Sequence, residues 1–471
     1  MATTSVPAGS RQKWLVLLAI GVGSFMSALD GSVVNAVLPL IRSAFESSVA
    51  EIEWVVTVYL LVVSGLLLTF GRLGDLRGQK TVYLAGFGIF TVGSALCALA
   101  PSASALVGSR GLQALGAAML FANSPAILTK TFPAGERGRA LGLQATMTYL
   151  GLTVGPSFGG WLAGRFGWQA VFTINLPIGA LALALSARTI PADPPPDRSE
   201  RFDPAGAVTF LAGLVSLLLA LNLGHALGWA SPAVLALLGG AALFLVGFVA
   251  IERRVIQPML DLSLFARRQF SAATATAFFN YICLYSVVFL LPFYLIQGRG
   301  LTPAQAGLLL TAQPLVMAVA APLSGSFSDR IGSRLLSSLG MLILGIGLLL
   351  LASLGPATPL SEVALRLGVV GLGTGIFISP NTSALMGAAP RARQGIASGV
   401  LATARNVGMV TGVGIAGAIL TTAQAQAGAE QGLTSGIRLA FLVAAGVAIL
   451  GALISTTRGR AAADSGQQGL P

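Results

Sequence analysis

Two residues stand out as able to do chemistry, Asp30 and Arg110. Asp30 lies inside the apolar run 14–39, WLVLLAIGVGSFMSALDGSVVNAVLP, and Arg110 early in another, within VGSRGLQALGAAM. Gln113 follows Arg110 by one helical turn. A charge in hydrocarbon is costly and is usually retained for function. A carboxylate there can take up and release a proton or sense a cation, and a guanidinium is its natural counter-charge. The plainer readings are a structural carboxylate, paired or capping a helix break at Gly31, and an arginine snorkelling to the interface.

Other chemistry finds no residues. The sequence has no Walker motif, catalytic triad or metal cluster, and its one histidine has no ligand partners at useful spacing. Cys97 and Cys283 each sit alone in an apolar run, without metal or disulfide spacing. Glycine-rich runs such as Gly371–Gly375 lack the strand and helix that a nucleotide loop needs. We therefore expect no enzyme, no metal and no cofactor. Any work must draw on an ion gradient or on the cargo's own gradient.

The elements that position Asp30 and Arg110 are membrane spans. Of 471 residues, 55% are apolar and 9% charged, too apolar for an ordinary soluble protein, and the 59 glycines suit close helix packing in lipid. Fourteen apolar runs have spanning length: 14–39, 53–71, 81–100, 105–129, 139–162, 168–187, 205–225, 232–251, 270–294, 304–325, 335–355, 361–385, 395–420 and 437–456. The first run lacks an AxA-like cleavage site, so it reads as a span and not a signal peptide. The net charge of +12 is spread thinly between runs, which argues against nucleic acid and for loops facing anionic lipid. Of the 28 Lys and Arg, 21 fall on the side of the N-terminus, four on the other side (Arg42, Arg165, Arg299, Arg438) and three within spans (Arg110, Arg366, Arg405). This split places both termini in the cytoplasm.

A weak internal repeat divides the spans. Gly71-Arg-Leu-Gly-Asp75-Leu-Arg-Gly78 ends span 2, and Gly325-Ser-Phe-Ser-Asp329-Arg-Ile-Gly332 ends span 10. Pairing them predicts an all-α membrane protein of two six-helix bundles, 1–187 and 270–456, with two extra helices, 205–251, between them. The Pro- and charge-rich stretch 188–204 is a cytoplasmic linker, 252–269 a basic amphipathic stretch along the membrane surface, and 457–471 a disordered tail. Parallel repeats facing a central cavity are a transporter arrangement.

Within this frame, Gly71, Asp75, Gly78, Lys80 and Asp329 read as gating turns, with each aspartate able to cap a helix or pair with arginine. Gly151, Gly155 and Gly159 form a smooth stripe in span 5, with Gly160 beside it and Pro156 freeing a backbone carbonyl. Asn35, Tyr59, Gln113, Gln144, Asn280, Tyr281, Tyr285, Gln313, Asn381, Arg405 and Asn406 are polar groups able to line a cavity, and Asn175 is a further polar group near span 6. Arg366 stands where Arg110 does in the other repeat, and neither it nor Arg405 is expected to find an acidic partner in its own span. Glu51 and Glu53 would guard the outer mouth.

These motifs together resemble the fourteen-span drug:proton antiporter branch of the major facilitator superfamily, multidrug efflux proteins of the QacA/EmrB type. The likeness rests on Leu29-Asp30-Gly-Ser32-Val-Val-Asn35-Ala-Val-Leu-Pro39, where Ser32 replaces the usual Thr, and on Trp54-Val-Val-Thr57-Val-Tyr59. It rests equally on Gly71–Lys80, on Arg110 with Gln113 and Gly116, on Gly151–Gly160, and on Gly167–Phe172 followed by Ile174–Gly179. Leu76 and Gln79 stand where basic residues are common. The resemblance implies a proton-driven exporter of the bacterial cytoplasmic membrane, with Asp30 carrying the proton, Arg110 coupling it and the span 5 glycines favouring export. The expected cargo is lipophilic and cationic, since a single intramembrane acid suits monovalent or neutral compounds. Export of an endogenous metabolite, peptide, amino acid or lipid is the alternative, and a non-transporting receptor the more distant one. Nothing in the sequence demands a partner subunit.

Overall fold

The structure is a computed structural model and describes residues 10–193, 202–255 and 257–457. Its helices are α1 (Ser10–Phe45), α2 (Val49–Arg77), α3 (Gln79–Ala98), α4 (Ala103–Thr131), α5 (Arg137–Phe166), α6 (Ala170–Thr173), α7 (Asn175–Thr189), α8 (Pro204–Leu227), α9 (Pro232–Glu252), α10 (Arg268–Pro292), α11 (Pro303–Leu310), α12 (Ala312–Ile331), α13 (Ser333–Ala352), α14 (Leu360–Ala388), α15 (Gln394–Ala427) and α16 (Ala429–Thr456). No strand occurs among the described residues. α6 and α7 form one crossing, as do α11 and α12, so the helices make fourteen crossings. Thirteen are long and apolar enough to span a bilayer; α5 has ample length at 30 residues but too many Gly, Thr and Ser to reach that apolarity. The small residues of α5 suit its neighbours, since it lies against α1 on one side and α12 on the other.

Helix ends follow local chemistry. Ser48, Ser102, Asp203, Ser231 and Thr302 cap helix starts through their side-chain oxygens, and Pro at the first positions of α8, α9 and α11 fits where no backbone donor is needed. Gly78, at φ +98°, turns α2 directly into α3.

Packing sorts the helices into α1–α7 and α10–α16. The two sets meet along α5 with α12 and along α2 with α15. α8 and α9 pair with each other, and α8 lies against both α2 and α15, beside the seam. α1 starts and α16 ends on one side of the bundle, together with most of the Lys and Arg; this side is called the basic end below, and the opposite side the far end.

Several expectations change. α1 runs unbroken through Gly31. The 71–80 stretch is not a loop: Gly71 and Asp75 lie in the last turns of α2, Lys80 is in α3, and only Gly78 lies between. Asp329 likewise is helical, in the last turn of α12. Between α9 and α10 the 252–269 stretch forms a short 3-10 turn, Leu262–Ala266, among its described residues, and buries Met259, Leu260 and Leu264 in a core shared with α2, α4, α8, α9, α10, α14 and α15. Pro258 and an Asp261 cap favour that irregular path. The start of the 188–204 linker is tied down, because Asp193 accepts the Lys80 and Thr81 backbone N–H groups at 3.1 Å each, capping α3. The remainder, 194–201, lies outside the described residues, as does nearly all of the 457–471 tail.

Candidate transport site

Asp30 is held at mid-helix by three side chains from two other crossings. Arg110 Nη1 donates to its Oδ2 at 2.7 Å, while Gln113 Nε2 and Asn175 Nδ2 donate to Oδ1 at 2.9 and 2.8 Å. Asp30 and Arg110 are each 1% exposed, so this is a desolvated ion pair and not a snorkelling arginine. The helical spacing explains the arrangement: Arg110 and Gln113 lie three residues apart on one face of α4, and Arg110 Nη1 also donates to Gln113 Oε1 at 2.5 Å. Gln113 reaches Ser94 Oγ of α3 as well, at 2.7 Å. Arg110 Nε donates to the Val55 carbonyl of α2 at 3.2 Å, and its guanidinium lies 4.1 Å from the Tyr59 ring centroid. α1, α2, α3, α4 and α7 thus meet at one charged network. A buried pair of this kind depends on such further hydrogen bonds, here to Arg110 Nε and to Asp30 Oδ1.

The span 5 glycines serve the same helix. A Cβ on Gly151 would lie 2.6 Å from the Phe25 carbonyl oxygen, on Gly155 1.7 Å from Ser32 Oγ, and on Gly159 2.6 Å from Val33. Ser32 Oγ donates to the Gly151 carbonyl at 3.2 Å. The stripe therefore seats α5 against α1 on either side of Asp30. Gly160 faces open space and Pro156 is exposed, so neither belongs to this contact.

At the basic end the two halves cap each other. Asp75 accepts the Gly395 and Ile396 N–H groups at 2.8 and 2.9 Å, the free donors at the start of α15. Asp329 accepts those of Gly138 and Arg139 at 2.8 and 3.0 Å, at the start of α5. Backbones touch beneath both caps: a Cβ on Gly71 would lie 2.3 Å from the Gly395 oxygen, and one on Gly325 2.1 Å from the Gly138 oxygen. Gln79 supports Asp75 at 3.1 Å, and Lys80 Nζ donates to the Ile190 carbonyl at 2.6 Å instead of joining the cap. The halves also share Thr146 Oγ1 to the Ala318 carbonyl at 2.7 Å and Asn406 Nδ2 to Ser64 Oγ at 3.0 Å.

The other candidates separate. Arg405 donates to Thr382 Oγ1 at 2.6 Å and lies 5.6 Å from the Tyr281 ring, which stacks with Tyr285. Gln144 reaches Ser24 Oγ at 3.2 Å. Asn381, between Thr276 Oγ1 and the Ala273 carbonyl, and Asn280, against Met341 Sδ, are buried and tie helices of one half together, as mid-span amides do where lipid offers no partner. Gln313 is buried where its backbone supports Gly371. Asn35 is exposed and outside the Asp30 network, five residues and therefore over a full turn beyond it. Glu51, in the first turn of α2, and Glu53, just after it, are exposed at the far end. Arg366 is not a counterpart of Arg110: it pairs with Glu362 of its own helix at 2.5 Å and with the Ser353 hydroxyl at 3.0 Å, as one-turn spacing near a helix start allows. Sequence reasoning did not assign Asn175 or Ser94 to the Asp30 network. Asn175 begins α7 just after the break at Ile174, a position marked by Pro177; Ser94 carries no such signal.

A helical membrane bundle in two facing halves with a buried charge pair has the make-up of a secondary transporter, and the family match makes it one and not an enzyme. The chain matches the Major Facilitator Superfamily over residues 20–266 and 273–469, and it belongs to that family. It is 37% identical to the riboflavin transporter RibZ of Clostridioides difficile, over 85% of this chain and 87% of that protein. It is 36% identical to the multidrug resistance protein Stp of Mycobacterium tuberculosis, over 87% of this chain and 76% of that one. The solved structure of the proton:xylose symporter XylE superposes with a TM-score of 0.68 over 94% of this chain and 95% of that one, at 14% identity, a likeness of fold alone.

Proposed function

We propose that this protein is a proton-driven exporter of lipophilic small molecules in the bacterial cytoplasmic membrane, of the fourteen-span drug:proton antiporter branch, with both termini in the cytoplasm. The orientation is supported by the 21 to 4 split of positive residues. The observation that carries the function is the Asp30–Arg110 pair at 2.7 Å, buried in the middle of α1. Relatives named for multidrug resistance and for riboflavin transport support a small-molecule cargo.

The contacts support a route for the coupling. A proton on Asp30 removes the counter-charge of Arg110, and a buried unpaired guanidinium is strongly unfavourable. Arg110 must then re-seat, and with it its grip on the Val55 carbonyl of α2. α2 ends in Asp75, about 30 Å away at 1.5 Å per residue, where it caps the other half. Protonation from outside therefore loosens the closed cytoplasmic end, and loss of the proton inside restores both the pair and the caps. Closure by crossed caps corresponds to the outward-facing state. Asp30 does not suit direct contact with cationic cargo here, because Arg110, Gln113 and Asn175 already occupy its oxygens. The cargo and the proton communicate through helix position and not through a shared carboxylate.

The test is transport by purified protein in proteoliposomes with an imposed pH gradient. A lipophilic substrate that moves only with the gradient, with protons moving the opposite way, supports the account. Substrate movement without any linked proton flux overturns it.

A further inference from the structure

The three arginines expected within the spans are not alike. Arg110 has Asp30 and Arg366 has Glu362, but Arg405 forms no ion pair among the described residues. Its Nη2 donates to the Thr382 hydroxyl, while its Nε is buried with no hydrogen-bond partner. Arg405 lies about one third of the way along α15 and is only partly buried. Thr382 of α14 and Tyr281 of α10 flank it, and Tyr149, from α5 of the opposite half, is packed in the same core as Tyr281 and Tyr285. The Tyr281 and Tyr285 rings stand nearly parallel, 21° apart with centroids at 6.3 Å, and present a flat aromatic wall. A guanidinium stays charged at any working pH, and inside a membrane it requires a partner.

Building on the transporter reading, we propose that the missing partner is supplied by the cargo: a flat aromatic body carrying an anionic or carbonyl-rich edge. Arg405 takes the oxygen edge through Nε and its neighbouring Nη, with Thr382 orienting it. Tyr281 and Tyr285 take the ring face, and Tyr149 closes the site from the other half, so that binding bridges the two halves. This reverses the charge expected of the cargo from Asp30 alone. Asp30 is engaged in its own pair, which leaves a cation as the unreconciled charge near the seam.

Equilibrium binding tests this without any gradient, so failure of proton coupling leaves the result intact. Full-length protein in nanodiscs is titrated by fluorescence polarisation with fluorescein, a flat anionic dye, and with ethidium, a flat cation. Wild type is expected to bind fluorescein more tightly than ethidium. Arg405→Gln should weaken fluorescein about tenfold, the loss of one charge-assisted contact, and leave ethidium within twofold, which also shows that the variant is folded. Arg405→Lys should recover part of the fluorescein affinity, and Tyr281→Ala should weaken both dyes. Tighter binding of ethidium by wild type, no fluorescein binding, or unchanged fluorescein affinity in Arg405→Gln overturns the proposal.

Discussion

Asp75 and Asp329 occupy matching places in the two halves, and each caps a helix that belongs to the other half. Every cap uses two backbone donors at 2.8–3.0 Å, on helix starts 320 and 191 residues away in sequence. Removing a cap of this kind costs on the order of 1 kcal/mol, about fivefold in an equilibrium. Asp75→Ala or Asp329→Ala should therefore shift the population about fivefold away from the state closed at the basic end. The two changes together should roughly multiply, because the caps share no partner. Spin-label distances between the basic ends of α2 and α15 read the shift. An unchanged distance distribution in the double variant would count against the caps as a latch.

Glycine contacts beneath the caps give a sharper contrast. A side chain at Gly71 or Gly138 would meet backbone oxygen at 2.3–2.4 Å, which only movement of a whole helix relieves. Gly71→Val and Gly138→Val should abolish transport and lower thermal stability, whereas Gly160→Ala, with nothing near its missing Cβ, should leave both close to wild type. Melting of the detergent-purified protein followed by size-exclusion fluorescence, paired with a transport assay, separates the outcomes. Loss of function in Gly160→Ala equal to that in Gly71→Val would show that the glycines beneath the caps act by something other than close backbone packing.

Arg110→Ala leaves Asp30 buried without its counter-charge, an arrangement that costs roughly 3–5 kcal/mol in a protein interior. A marked fall in melting temperature is expected. Adding Asp30→Asn should recover part of that loss, since a neutral amide no longer needs a cation. Thermal unfolding of the two single variants and the double variant closes the cycle. No recovery in the double variant would mean that Arg110 acts mainly through the Val55 carbonyl and the Tyr59 ring.

Asp193→Ala removes the cap of α3 and should cost about 1 kcal/mol. Faster hydrogen exchange confined to the first turn of α3 would check it; unchanged exchange there would assign that turn's stability to other contacts.

Spans were largely legible because hydrocarbon enforces long apolar helices, and the charge pair was legible because charge is rare there. Asp30, Arg110 and Gln113 announced themselves by residue type. What the sequence left hidden depends on where helices meet. Gly71 and Asp75 read as a turn because glycine and aspartate favour turns, yet the helix continues so that Asp75 reaches α15. Arg366 looked like Arg110 by position but found Glu362 one turn away. Asn280, Asn381 and Arg405 are equally polar in sequence, and only packing shows that the first two hold helices of one half together while the third lies near the seam. The 252–269 stretch has amphipathic composition, and Met259, Leu260 and Leu264 are drawn into a core shared by seven helices.

The central claim is that the proton acts at Asp30. The most direct measurement is Asp30→Asn in proteoliposomes, assayed both for export driven by a pH gradient and for substrate exchange with no gradient. The account predicts that gradient-driven export is lost while exchange persists, because an amide can neither take up nor release the proton that re-seats Arg110. Gradient-driven export at the wild-type rate would contradict it.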